Sequence, residues 1–214
     1  VWGDGHGNEQ PVHWVEMPEF QLARTVVTQG MWERVMGDNP AEGYGEEFIG
    51  ADKPIVGVSW EDAQAFIHRL NAMVPEGQYR LPGEAEWEYA ARSGGQRHKW
   101  PGTSKESELE RYAWFEKNSG YAIHPVAQKQ PNELGLYDMA GNVFEWCQDR
   151  WHDSYEGAPG DGSAWQSGGS RFRVLRGGSW SSPPSWLRSA FRDELFLDSI
   201  GLTHRGFRLA RVPY

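Results

Sequence analysis

Arg173-Val-Leu-Arg-Gly-Gly-Ser-Trp180 and Arg205-Gly-Phe-Arg-Leu-Ala-Arg211 close the chain, and the stretch they bracket decides how the rest is read. Residues 172–175 and 207–212 read as strand ends. Between them no strict period survives. Gly177-Gly178 opens backbone conformations barred to other residues and allows close approach to a second surface. Beyond it come Ser179, Trp180, Ser181, Ser182, the stiff pair Pro183-Pro184, Trp186, Arg188, Arg192, Asp193, Glu194, His204 and Arg205. So long a segment without regular structure in a compact domain points to function, and the search for a site starts there.

The chain has 214 residues, enough for one large domain or two small ones with a real core. Twelve tryptophans and 14% aromatic residues stand against only 38% hydrophobic residues, so large rings must carry much of the packing. Twenty-six glycines and 13 prolines predict many loops. A net charge of −9 argues against nucleic acid as a partner, because phosphate binding needs a basic surface. The lone Cys147 excludes an internal disulfide and a cysteine-rich metal cluster. No apolar run approaches the roughly 20 residues that span a bilayer. No signal-peptide pattern is visible either. Val1-Trp-Gly-Asp-Gly-His-Gly7 reads as a glycine-rich loop inside a domain, so more chain is expected before it.

In chain order, residues 11–20 alternate like a strand, with Val12, Trp14 and Met17 on one face, and residues 20–27 read as a second strand. Thr28 caps a helix to Met36 that buries Met31, Trp32 and Val35, and Gly37 stops it. Residues 38–53 are loop. Ser59-Trp-Glu-Asp62 is a capping-box start, followed by the stripe Trp60, Ala63, Ile67, Leu70 and Val74, and Pro75 ends it. His68 sits beside that stripe as a boundary residue. The stretch from Gly83 to Arg92 is a helix with acids in its first turn, where they complement the dipole. Residues 96–130 are irregular, and 134–147 read as a turn followed by a strand. His6, His13, His98, His124, His152 and His204 show no paired spacing for zinc or iron. Neither a repeat nor a linker interrupts the chain, so one domain is expected.

Several motifs together resemble the formylglycine-generating enzyme (sulfatase-modifying factor) domain family. They are Val27-Thr-Gln-Gly-Met-Trp32, Pro54-Ile-Val-Gly-Val-Ser-Trp60, Tyr79-Arg-Leu-Pro-Gly-Glu-Ala-Glu-Trp-Glu-Tyr-Ala-Ala-Arg92, Gly135-Leu-Tyr-Asp-Met-Ala-Gly-Asn-Val-Phe-Glu-Trp146, Arg176-Gly-Gly-Ser-Trp180 and Gly206-Phe-Arg208. The resemblance implies a single α+β domain of C-type-lectin-like fold, with few short helices and small antiparallel sheets. It does not fix the function, because the same scaffold carries unrelated activities.

The resemblance also implies a structural calcium ion held by Asp138, Gly141, Val143 and Glu145, through side-chain and carbonyl oxygens of the kind Ca2+ prefers. The alternative is that Asp138 caps a turn and Glu145 meets an arginine. A second calcium site of the family, near residues 112–121, lacks its acids here. The copper-binding cysteine pair is missing too. Ser182 stands at the first cysteine position, and the second falls in a shortened stretch around Trp186-Leu187. Since soft thiolates select Cu(I), copper is not expected, and sulfatase activation would need another metal site.

Two functions follow from the resemblance. The first is an oxidative or proton-abstracting step on a small peptide-derived substrate, as in the branch that matures pyoverdine-type siderophores in the periplasm, which would make this chain exported. Its electron acceptor is open. In that reading Glu194 is the base and Asp193 the second candidate. Ser179, Trp180, Ser182 and Trp186 line the cleft, Arg188 and Arg192 anchor the substrate, and His204 stands near Glu194. Taken singly, the two acids can equally be partners of Arg188, Arg192 or Arg205. The second function is ligand binding without turnover. Residues 180–208 contain no Asn but do contain Trp186 and Glu194, which argues against retroelement-diversified relatives though not against a fixed receptor.

Overall fold

Local capping signals set three α-helices among the described residues. The structure, a computed structural model, describes residues 7–196 and 202–213. The expected loop at residues 1–7 lies outside the described residues except for Gly7. Strand β1 (Gln21–Leu22) leads to helix α1 (Gln29–Met36), where the Thr28 side chain accepts from the Met31 N–H and Gly37 closes the helix at φ 88°. Helix α2 (Trp60–Met73) starts in a full capping box: Ser59 accepts from the Asp62 N–H, and Asp62 accepts from the Ser59 N–H at 2.9 Å. Helix α3 (Glu84–Ala91) starts at Gly83, whose N–H donates to Glu86. Such caps satisfy donors that the first turn leaves without partners.

The sheets form later in the chain. Strands β2 (Phe144–Arg150), β3 (Phe172–Arg176), β4 (Arg192–Phe196) and β5 (Arg205–Gly206) join in the order β4-β3-β2-β5. β1 pairs with β6 (Ala210–Arg211) in a two-stranded sheet. Helices and small sheets in one domain match the α+β expectation. One pairing departs from the antiparallel expectation: β2 and β5 run parallel.

Successive side chains on a strand face opposite ways, so the large sheet separates two cores. One face packs Phe144, Trp146, Leu175 and Phe207 against Trp32, Phe66 and Ile67 of the first two helices. The other packs Cys147, Val174 and Trp151 against Trp87 and Ala91 of α3.

Three local expectations need correction. Residues 11–20 form no strand, because an alternating pattern needs a pairing partner and this segment has only isolated bonds such as Glu16 N–H to the Gly160 carbonyl. Trp14 is consequently 92% exposed. Met31 is also exposed, and Trp32 alone of the expected α1 trio is fully buried. Val74 lies at the exposed end of α2.

Candidate functional site

The two candidates for the base, Glu194 and Asp193, are separated by the sheet. Residues 192–196, expected in a loop, are strand β4, in register with β3 as Leu175↔Asp193 and Val174↔Glu194. Leu175 and Val174 belong to different cores. Asp193 therefore shares a face with Phe191 and Leu195, and Glu194 takes the opposite face. Their electrostatic neighbours agree. Burial raises the Asp193 pKa, against the pull of Arg205. Burial also raises that of Glu194, reinforced by Asp153 and Asp193.

Several residues expected to line or anchor a ligand instead hold the fold together. Arg192 is buried and forks onto Glu84 at 2.6 and 2.9 Å, with its guanidinium over the rings of Trp151 and Tyr155. Arg188 is buried against Glu9 at 2.6 Å. Neither is left for a substrate, and neither pairs with Asp193 or Glu194 among the described residues. Ser179 and Ser182 are buried as well. The Ser182 hydroxyl accepts from the Ser179 N–H at 2.9 Å and lies 3.2 Å from the Ser179 hydroxyl. They stitch a turn where cleft-lining hydroxyls were expected. Trp180 is half-buried, donates to the Thr203 carbonyl and packs beside Phe48.

What remains on the Asp193 side is an aromatic row ending in charge. Trp186, 45% exposed, stacks on Phe191 with ring centroids 5.6 Å apart. Phe191 meets Phe144 at 6.5 Å, and Phe144 meets His204 edge-on at 6.4 Å. Burial, then Arg205, pushes the His204 pKa down to about 4, so its ring is neutral near pH 7. His204 therefore answers to Arg205, and no bond joins it to Glu194 among the described residues. Arg205, opposite Phe144 in the parallel pairing, is 6% exposed. Its Nη1 has no hydrogen-bond partner among the described residues. In the sequence Arg205 is one more possible partner for an acid, and only the fold shows its unmet nitrogen.

The expected calcium ligands meet unequal surroundings. Glu145 is fully buried, and Arg208 grips both its oxygens at 2.6 Å while the Trp87 indole donates to one of them. The arginine alternative therefore holds for Glu145, and its charge needs no cation. Asp138 differs. One oxygen accepts from the Ala127 N–H, the other is buried with no partner among the described residues, and burial raises the Asp138 pKa to about 6. An orphaned carboxylate oxygen fits a hard cation. The donor set thus fits calcium at Asp138 and fits poorly at Glu145. Among the described residues no group of three or more His, Cys, Asp or Glu side chains is arranged to hold a metal.

Two open cavities lie away from this row. One of about 360 Å3 runs between Val12, Trp14, Met17 and the Ala85–Tyr89 side of α3. Another of about 440 Å3 is walled by Trp151, Asp153, Glu156, Trp165 and His152, whose ring stacks on Trp165 at 3.5 Å. Asp153 is the charged neighbour of Glu194, so Glu194 belongs to that side. No helix among the described residues is long and apolar enough to cross a membrane.

Comparison with known proteins agrees with this architecture. Residues 2–213 match the sulfatase-modifying factor enzyme 1-like domain. The Streptomyces coelicolor formylglycine-generating enzyme is 33% identical over 92% of this chain and 65% of its own length. The Chlamydia trachomatis serine/threonine-protein kinase Pkn1 is 34% identical over 98% of this chain, which spans only 36% of that relative. Among solved structures, Treponema denticola variable protein 1 superposes with a TM-score of 0.88 at 33% identity, covering 99% of this chain and 90% of that one. PvdO from Pseudomonas aeruginosa gives 0.84 at 32% identity, covering 97% and 86%. The chain belongs to the sulfatase-modifying factor (formylglycine-generating enzyme-like) domain family, in a C-type-lectin-like fold.

Proposed function

We propose that the protein carries out an oxidative or proton-abstracting maturation step on a small peptide-derived metabolite, a pyoverdine-type siderophore precursor being the favoured substrate class, and that it works as an exported, periplasmic domain. The likeness to PvdO over nearly the whole chain supports the branch. The observation that carries the chemistry is Asp193, a carboxylate half-sheltered on the same face as Trp186, Phe191, His204 and Arg205, with its pKa raised by burial. A base whose pKa moves toward working pH is better suited to proton transfer. Asp193 takes one proton from the substrate, a second passes to solvent, and the two electrons go to dioxygen, which takes up two protons to become hydrogen peroxide, or to another external two-electron acceptor. Glu194, the first choice from sequence, faces Asp153 on the other side and becomes the second candidate.

Copper has no place in this proposal. The one thiol, Cys147, is fully buried, and burial pushes its pKa well above the usual thiol range. Calcium belongs to the proposal as a structural ion, held by Asp138 with the backbone carbonyls of Gly141 and Val143. Glu145 would join only by sharing its carboxylate with Arg208.

A second reading, ligand binding without turnover, is favoured by the likeness to Treponema denticola variable protein 1. One assay separates the two. Asp193→Asn and Glu194→Gln are tested with a pyoverdine-type precursor for product formation and for affinity. Loss of about 100-fold or more in turnover for Asp193→Asn with affinity retained is the expected result. Full turnover in that variant removes Asp193 from the mechanism, and binding without product by the wild type favours the receptor. Copper found at one per chain in the purified protein would contradict the reading of the missing thiols.

A further inference from the structure

Arg205 differs from the buried arginines around it. Arg176 is bonded to Glu84, Glu88 and two backbone carbonyls, Arg192 forks onto Glu84, and Arg208 forks onto Glu145. Each is a buried cation balanced by a carboxylate, as burial demands. Arg205 is 6% exposed, yet no ion pair or hydrogen bond to its side chain occurs among the described residues, and its Nη1 is orphaned. Asp193, the acid whose charge acts on it, spends a carboxylate oxygen on the Glu194 N–H at 2.9 Å. Burial lowers the Arg205 pKa to about 10, which still leaves it a cation at neutral pH.

A buried guanidinium nitrogen with no partner among the described residues is a donor suited to an anion. The geometry next to it says which kind. The row from Trp186 through Phe191 and Phe144 to His204 offers ring faces and edges, and its one exposed member, Trp186, lies at the outer end. His204, neutral near pH 7, adds no competing charge. We propose that Arg205 is the anchor for a carboxylate on the ligand of this face, with Trp186 and Phe191 receiving the aromatic or apolar part beside it. The ligand class is thus an aromatic acid or a peptide presenting a carboxylate next to an aromatic side chain. This rests on the proposed function only in taking the Asp193 side of the sheet as the face that meets the ligand. A charge-assisted bond to a planar carboxylate suits a guanidinium, and shelter from water strengthens it.

The test uses two probes that differ only in charge, N-acetyl-L-tyrosine and N-acetyl-L-tyrosinamide, titrated calorimetrically into the purified protein. The acid is expected to bind about tenfold tighter than the amide, the size of one charge-assisted bond. Arg205→Gln brings the acid down to the level of the amide. Arg205→Lys retains part of the preference, and Trp186→Ala weakens acid and amide alike. Near-ultraviolet circular dichroism checks that each variant is folded. Should Arg205→Gln not fold, the Arg205→Lys titration decides, since a preference as large as that of the wild type would clear the guanidinium of the role. The proposal is overturned if acid and amide bind equally, if neither binds at about 10 mM, or if the preference survives Arg205→Gln. Turnover plays no part in these titrations. A carboxylate preference with no product formed would sink the enzymatic reading alone, and product formed without the preference would sink the anchor alone.

Discussion

The two faces of the central sheet treat charge in opposite ways. On the α3 side, Arg176 and Arg192 converge on Glu84, Arg176 and Arg92 share Glu88, and the rings of Trp151 and Tyr155 lie under Arg192. In spite of its burial, Arg176 and Arg92 hold the Glu88 pKa below the ordinary value. On the other side, Arg205 and Asp193 are sheltered with no ion pair among the described residues, and burial, then Arg205, keeps His204 neutral beside the ring of Phe144. The first arrangement stores its charges in closed pairs and is a fastener. The second leaves them uncommitted, at a cost in stability that a ligand can recover. Residue type alone does not separate these roles; pairing does.

The comparison breaks most visibly at Glu84. Glu84→Gln removes the shared partner of two buried arginines and is expected to cost about 3–5 kcal/mol, read as a lowered midpoint in urea. Arg205→Leu, in contrast, should cost less than about 1 kcal/mol, since Asp193 loses the pull of a charge with which it forms no ion pair among the described residues. Equal losses in the two variants would erase the distinction between the faces.

A smaller effect tests Asp138. If calcium sits on its orphaned oxygen, saturating calcium at about 100 times its Kd adds roughly 2.7 kcal/mol to stability, and a chelator takes it away. Asp138→Asn should abolish most of that response, while the paired Glu145 should matter for the fold with or without the ion. A melting temperature indifferent to calcium and chelator would remove the ion from the molecule.

The smallest expected signal is a slope. The folded-state pKa of His204 lies near 4, below its ordinary value of 6.5. The unfolded chain therefore binds the proton more readily. The stability that a neutral His204 contributes is complete above about pH 6.5 and is lost as pH falls toward 4. His204→Gln should make the fall of melting temperature over that window shallower than in the wild type. A steeper or unchanged fall would show that the ring is not sheltered.

How much of this the sequence announced depends on how local the cause was. The caps at Thr28 and Ser59 and the stop at Gly37 act within one turn, and they were readable. The family motifs carried the fold as a whole. The segment at residues 11–20 had the right alternation and still formed no strand, since pairing is decided elsewhere in the chain. Arg192 and Arg188 looked like ligand anchors because their partners, Glu84 and Glu9, lie 108 and 179 residues away. Strand β4 was missed for the same reason, its ladder with β3 closing over a long excursion. Glu194 and Asp193 then looked interchangeable as the base because they are neighbours in sequence, whereas a strand points neighbours apart. Arg205 carried no signal of its own, because an unmet bond is visible only once the surroundings are known.

Cys147 sits at the centre of β2 with no exposure, its thiol held in the protonated form by burial. To alkylating dyes the native molecule is therefore close to blank. A single Ser185→Cys replacement, at an exposed position beside Trp186, would give one addressable thiol on an otherwise unlabelled chain. A fluorophore there would report occupancy of the aromatic row in real time, without the native cysteine having to be removed first.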